Sequence, residues 1–342
     1  MLLTNSGGPG GAGLAFPAVL RDLGLPRSVL DSYDVIGMDP RGVGHSTPVT
    51  CGLKPEQLAS NIPKFARNAA DVAAQAEYVA GIAQRCGSSA TASMLPYITT
   101  ANTARDMDRI REALGESKVS YFGISYGTYL GSVYTTLFPQ RSDRILLDSA
   151  TGPGGWDASF TRMLSRGVED RFPDFAKFAA AHPEYGLGRT PEPESPPGPP
   201  NVENMLAGQL HVICNDSDWP ESVRTYQRNV AIDRVRFPMF GAAGANITPC
   251  AFWPSEPSEP PVQITDRGPS NVLIRQNLRD PATPPAGARQ LRKAFGDRAR
   301  MVTADQGGHL AYLFMKNRCV NDIATEFLVT GERPRQDVAC PA

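Results

Sequence analysis

Apolar residues in the first 150 positions fall into short, nearly continuous runs. They are "LLTN" (Leu2–Asn5), "YDVIGMDP" (Tyr33–Pro40), "KVSYFGIS" (Lys118–Ser125) and "RILLDSA" (Arg144–Ala150). Runs this short, ended by Asn, Asp-Pro or Ser, predict strands with both faces buried, because a strand covered on both sides loses the polar/apolar alternation. A different period lies between them. From Asn102 to Leu114, Met107, Ile110 and Leu114 share one helical face, and Gly115 supplies the stop. Tyr126–Phe138 is apolar nearly all round, as a helix pressed against a sheet must be. Strand, helix and strand in repetition predict a mostly parallel sheet with helices on both faces.

The regularity stops after Ala150. Thr151–Pro261 carries aromatic-rich helical pieces and two proline clusters, "TPEPESPPGPP" (Thr190–Pro200) and "WPSEPSEPP" (Trp253–Pro261). The first predicts an extended surface linker. The whole stretch predicts a helical cap inserted over the sheet's edge. The sheet pattern resumes at "NVLIRQNLRD" (Asn271–Asp280), followed by a helix over Ala286–Phe295, the strand "ARMVTAD" and a last helix from His309 to about Leu328. The expected organisation is a first part of the core over 1–150, the cap over 151–265 and a second part of the core over 266–342.

Composition narrows the chemistry. Of 342 residues 41% are hydrophobic, enough for a large core, and the net charge is -1. That near-neutral balance, with no basic cluster, argues against nucleic acid as a partner. No apolar run reaches the roughly 18 residues of a membrane-spanning helix. The six cysteines, Cys51, Cys86, Cys214, Cys250, Cys319 and Cys340, include no C-x-x-C pair and have no histidine at zinc-ligand spacing. They read as three disulfides of a protein in an oxidising compartment rather than as a metal site. Pairing each cysteine with its next neighbour is the preferred choice among about 15 connectivities. The chain opens with "MLLTNSGGPGGAG", a strand running into a glycine-rich loop and not a signal peptide.

The chemistry concentrates at "YFGISYG" (Tyr121–Gly127). A G-x-S-x-G is informative when a strand precedes it and a helix follows, because the serine is then held at the tip of a strained turn. Both flanks are present around Ser125. Serine needs a base, usually a histidine held by a carboxylate. On such a fold the order along the chain is serine, acid, histidine. Among the four histidines, His309 in "ADQGGHLAYLF" follows the last strand, whereas His45 precedes the serine and His182 and His211 lie in the cap. Asp280, at the end of a strand, is the favoured acid over Asp305, which lies only four residues from His309. The glycines of "NSGGPGGAG" offer backbone donors to an oxyanion, with Gly8 as the candidate beside the N–H of Tyr126. Gly10, Gly11 and Gly13 permit the turn. A phosphate loop is the competing reading, but the run lacks the Lys-Ser/Thr ending.

In that order, "GGPGGAG", "YDVIGMDPRGVGHSTP", "GISYGT", "NLRDPATP" and "GGH" resemble the α/β-hydrolases related to proline iminopeptidases, and more narrowly their secreted tripeptidyl-aminopeptidase-like branch. "CNDSDWP" and "CAFWP" in the cap resemble that branch too. The resemblance implies Ser125 as nucleophile, Asp280 as acid, His309 as base, Gly8 and Tyr126 at the oxyanion, and no cofactor. It implies a secreted serine exopeptidase acting on peptides, or a carboxylesterase acting on small esters with the same triad. A non-catalytic binding protein on this scaffold is disfavoured by the intact Ser, Asp and His. The resemblance also implies N-terminal strands and an export signal upstream of this chain's first residue. An aminopeptidase must hold a free amine, for which Asp216 is the candidate and Asp218, Glu256 and Glu259 are alternatives.

Overall fold

The protein is described from a computed structural model that covers residues 1–58, 60–186 and 201–342. The linker expected at Thr190–Pro200 lies outside the described residues. Among these, seven strands form one sheet: β1 (Leu2–Asn5), β2 (Val35–Gly37), β3 (Val119–Ile124), β4 (Ser142–Asp148), β5 (Val272–Arg279), β6 (Ala299–Gly307) and β7 (Val338–Cys340). Their order is β2-β1-β3-β4-β5-β6-β7, and every described pair is parallel.

The continuous apolar runs are explained by what covers them. Leu3, Tyr121, Ile145 and Ile274 point to one face and meet the helices Thr100–Ala113, Tyr126–Leu137 and Pro285–Phe295. Their neighbours Leu2, Phe122, Leu146 and Leu273 point to the other and meet the helices Phe16–Asp22, Arg27–Ser32 and Arg318–Thr330. Successive strand residues alternate faces, so a sheet covered twice needs apolar residues at both. Each fully buried Leu or Phe here contributes about 1.5–3 kcal/mol.

Two elements differ from expectation. The last helix begins at Arg318, not His309, with Asn317 accepting a hydrogen bond from the N–H of Val320 as its cap. Residues 309–317 are instead a loop in which Leu310 and Leu313 have φ of 71° and 69°, outside helical backbone. The chain then returns as β7, which pairs with β6 and is stapled to the preceding helix by Cys319–Cys340. Disulfides also join Cys51 to Cys86 and Cys214 to Cys250. The three close sequence separations of 35, 36 and 21 residues.

Between β4 and β5 the chain inserts the helices Ala158–Ala181, Val202–Asp216 and Val223–Arg236. They approach the C-terminal edge of the sheet closely. A Cβ built on Gly10 of the first glycine-rich loop would lie 2.2 Å from the Met205 carbonyl oxygen, and one on Gly167 would lie 2.7 Å from that of Pro281. The inserted helices therefore rest on the loops that follow β1 and β5. No helix among the described residues is long and apolar enough to cross a membrane.

Candidate active site

Ser125 follows β3 and stands immediately before the helix Tyr126–Leu137, with φ 54° and ψ -123°. A side chain in this region carries strain of about 1–3 kcal/mol that the surroundings must offset. They do so with hydrogen bonds. The Ser125 N–H donates to the Asp148 carbonyl at 2.9 Å, and the Ser125 carbonyl accepts from the N–H and hydroxyl of Thr128. The flanking glycines are steric requirements: a Cβ on Gly123 would lie 2.5 Å from the Gly127 carbonyl oxygen, and one on Gly127 2.7 Å from Asn5 Oδ1.

The glycine-rich loop after β1 closes against this turn. A Cβ on Gly7 would lie 3.1 Å from that of Ser125. The Gly7 N–H is taken by Asn5 Oδ1 at 2.9 Å. Among the described residues, the N–H groups of Gly8 and Tyr126 donate to no protein acceptor. Two unused donors thus flank the serine.

Asp280 and His309 meet at the ends of β5 and β6. His309 Nδ1 lies 2.9 Å from Asp280 Oδ2 and 3.1 Å from Oδ1. Asp280 is itself fixed: Oδ1 accepts the N–H groups of Ala282 and Thr283, each at 2.9 Å, and Oδ2 accepts the Thr283 hydroxyl at 2.8 Å. The carboxylate is 0% exposed, whereas the His309 side chain is 29% exposed and can be reached from solvent. Donating Nδ1–H to Asp280 leaves the lone pair of a neutral imidazole on Nε2. The His309 loop is also held by Asn277, whose Nδ2 donates to the carbonyls of Gly308 and Leu310 at 3.0 and 2.9 Å.

Ser125, Asp280 and His309 thus follow β3, β5 and β6 at one edge of the sheet, with β4 between the first two. Among the described residues no hydrogen bond joins the Ser125 hydroxyl to His309. Such a contact commonly tightens only when substrate is bound. Asp305, the competing acid, is occupied by Arg279, which also bonds Asp174 of the inserted helix at 3.0 Å. The remaining histidines are placed elsewhere. His45 faces Asp39 at 3.1 Å, His182 faces Glu184 at 2.9 Å, and buried His211 bonds the Ala207 carbonyl at 2.7 Å.

Asp216, the candidate for a substrate amine, ends the helix Val202–Asp216 and has both oxygens engaged by Thr100. Oδ1 accepts its N–H at 2.7 Å and Oδ2 its hydroxyl at 2.5 Å. The Thr100 hydroxyl also meets the Tyr126 hydroxyl at 2.5 Å. Asp216 therefore ties the insertion to the N-terminus of the helix Thr100–Ala113, and burial raises its carboxyl to about 7. Asp218 and Glu256 line a separate cleft beside Cys214–Cys250, and Glu259 pairs with Arg105.

Three residues that sequence reasoning passed over belong to this edge: Thr283, Asp148 and Ser149. A polar residue three places after Asp280, and an acid closing an apolar strand in "LLDSA", were the available signals.

Comparison with known proteins places these observations in a lineage. The family described as TAP-like protein matches residues 237–340. A tripeptidyl aminopeptidase of Streptomyces lividans is 33% identical, the similarity covering 99% of this chain and 76% of that protein. Serine protease Hip1 of Mycobacterium tuberculosis (strain H37Rv) is 24% identical over 99% of this chain and 80% of its own. A protein named carboxylesterase B from the same strain is 27% identical over 99% and 79%. The alignment with the Streptomyces protein runs to 417 positions, more than the 342 residues here, so it includes stretches this chain lacks.

Proposed function

Since the chain belongs to the family of the tripeptidyl aminopeptidases and is a serine hydrolase of the α/β-hydrolase type, we propose that it is an exopeptidase releasing short peptides, tripeptides first among them, from free N-termini. In this reading the Ser125 hydroxyl attacks the scissile carbonyl while His309 Nε2 takes its proton. Asp280 holds the imidazole through Nδ1–H and stabilises the imidazolium. The oxyanion of the tetrahedral intermediate receives the N–H groups of Gly8 and Tyr126, a contribution of about 3–4 kcal/mol per donor in such sites. His309 then returns the proton to the leaving amine. Water, activated by the same imidazole, clears the acyl-enzyme.

The observation that carries the proposal is the Asp280–His309 bond of 2.9 Å at the sheet edge that also holds a serine at φ 54°. Three disulfides support work outside the reducing cytoplasm, and we place the mature protein among secreted enzymes. The test is a library of peptides with free and blocked N-termini, read by mass spectrometry for the position of the first cut. Cleavage at a fixed distance from a free amine is expected. Cleavage indifferent to the amine sinks the exopeptidase reading.

The similarity to carboxylesterase B favours a second reading, an esterase using the same three residues. Comparing kcat/KM for a tripeptidyl p-nitroanilide and a p-nitrophenyl butyrate separates the two. A hundredfold preference for the ester supports the esterase.

A further inference from the structure

Asp148 ends β4, the strand between the one that delivers Ser125 and the one that delivers Asp280, and Ser149 follows it. Both are fully buried. Through them the serine turn and the histidine loop are bonded to a single dipeptide. The Asp148 carbonyl accepts the Ser125 N–H at 2.9 Å. Its carboxylate Oδ2 accepts the N–H groups of Ala311 and Tyr312 at 3.1 and 2.6 Å. The Ser149 hydroxyl accepts the Leu310 N–H at 3.1 Å. Asn277 also grips the histidine loop, but among the described residues it has no bond to the serine turn.

Two further observations mark this junction as built rather than incidental. Six non-glycine residues among those described have positive φ, and three of them meet here: Ser125, Ser149 and Leu310. Left-handed backbone at bulky residues persists only where surrounding bonds enforce it, and it gathers at functional sites. The second is Arg275. It stands opposite Asp148 in the β4–β5 register and is 0% exposed, and none of its guanidinium nitrogens has a hydrogen-bond partner among the described residues. A buried cation without donors engaged acts on its surroundings through its field, and the neighbouring carboxylate is Asp148. Burial pushes that carboxyl up, and Arg275 pulls it back toward the ionised form that accepts hydrogen bonds best.

We propose that Asp148 and Ser149 are positioning residues for the hydrolytic reaction: one dipeptide fixes the separation of Ser125 from His309 by bonding the backbone on both sides, with Arg275 as its buried counter-charge. The inference rests on reading Ser125 as nucleophile and His309 as base. Its physical basis is that a reacting pair displaced by about 1 Å loses on the order of a hundredfold in rate.

The experiment compares Asp148→Asn and Ser149→Ala with the unaltered protein on a tripeptidyl p-nitroanilide, alongside the rate of Ser125 labelling by a fluorophosphonate and the thermal midpoint. Asp148→Asn replaces an accepting oxygen by an amide donor and is expected to lower kcat by roughly 10- to 100-fold. KM should stay within about threefold, and labelling should slow in parallel with kcat. Ser149→Ala, which removes one acceptor, is expected to lower kcat by about three- to tenfold with the fold intact. A folded Asp148→Asn protein with wild-type kcat overturns the proposal. If that variant does not fold, Ser149→Ala decides: wild-type kcat overturns, and a fall at constant KM supports. Ser125→Ala and His309→Ala separate the two levels. Turnover surviving in either defeats the underlying assignment, whereas its loss in both beside unaffected Asp148 and Ser149 variants defeats the positioning inference alone.

Discussion

The proposed catalytic edge of the sheet and the inserted helices above it are held together in different ways. At the edge, buried carboxylates accept backbone N–H groups: Asp280 those of Ala282 and Thr283, Asp148 those of Ala311 and Tyr312. Such charge-assisted bonds are short and directional, and breaking one strands a buried charge. On the β5–β6 side, away from the buried Asp216–Thr100 tie, the insertion is joined to that edge by Arg171, Asp174, Arg279 and Asp305, an alternating row whose Arg279 and Asp305 side chains are 36% and 61% exposed. Ion pairs this exposed are each worth about 0–1 kcal/mol. Under the exopeptidase proposal, the contrast assigns rigidity to the chemistry and adaptability to the insertion that would select among peptides.

The comparison breaks first at the edge. Ser125→Ala is expected to lower kcat by roughly 10⁶-fold, to the background of the remaining site. The thermal midpoint should stay within a few degrees, because among the described residues the hydroxyl makes no hydrogen bond to the protein. Stopped-assay kinetics on active-site-titrated protein checks it, and residual turnover above about 1% would remove Ser125 from the mechanism. Asp280→Asn comes next, with a loss of about 10⁴-fold in kcat. That change leaves the shape but lets the amide hold the wrong tautomer of His309. A loss confined to KM would mean that Asp280 only shapes the pocket.

A change in the insertion should act on the other side of the contrast. Cys214–Cys250 pins the helix Val202–Asp216 to Pro249–Phe252 across a separation of 36 residues. Its removal by a Cys214→Ala, Cys250→Ala pair is expected to destabilise by about 3–4 kcal/mol in the chain-entropy account. KM should rise more than kcat falls. Urea unfolding and steady-state kinetics measure both. An effect on kcat as large as that of Asp280→Asn would show that the insertion takes part in the chemistry.

How far the sequence reveals the molecule follows the same line. β1, β3, β4 and β5 are legible because burial on both faces leaves a short apolar stretch ended by a polar residue or a turn, too short for a helix of the same apolar character. Ser125 is legible because its strained turn demands glycine at 123 and 127. His309 is legible as a residue but not in its setting. "HLAYLFMKN" has the apolar spacing of a helix, yet Leu310 and Ala311 donate their N–H groups to Ser149 and Asp148, more than 160 residues away. A long-range backbone bond leaves no local pattern, so the helix starts nine residues later than spacing suggests. Asp148 escapes for the same reason: its role is to bond N–H groups that any residue could carry. Three-residue β7 has too little sequence to register and is located by its pairing and by Cys340. Asp216 is legible as a candidate carboxylate in "CNDSDWP", but its bonds to Thr100 depend on the insertion's placement.

Asp216 offers the smallest effect and the sharpest test of what its carboxylate does. Its folded-state value of about 7 lies above the ordinary 3.8, so between those two pH values the native state holds a proton that the unfolded chain releases. Stability from this group is therefore full below about pH 4 and is lost as pH rises through 7, with a limiting slope of roughly 1.4 kcal/mol per pH unit. Asp216→Asn should flatten that dependence, shifting the difference in unfolding free energy from pH 5 to pH 7.5 by about 1–3 kcal/mol. Urea melts at four pH values measure it. If Asp216 serves only the helix at Thr100, the variant keeps the wild-type ratio of kcat/KM between a free-amine tripeptidyl anilide and its N-acetylated counterpart. If it also reads the substrate's ammonium, that ratio falls by about tenfold, the worth of one hydrogen bond to a charged group. A collapse of the ratio with the pH slope of stability intact would make Asp216 a specificity residue first, and would extend the rigid edge upward into the insertion.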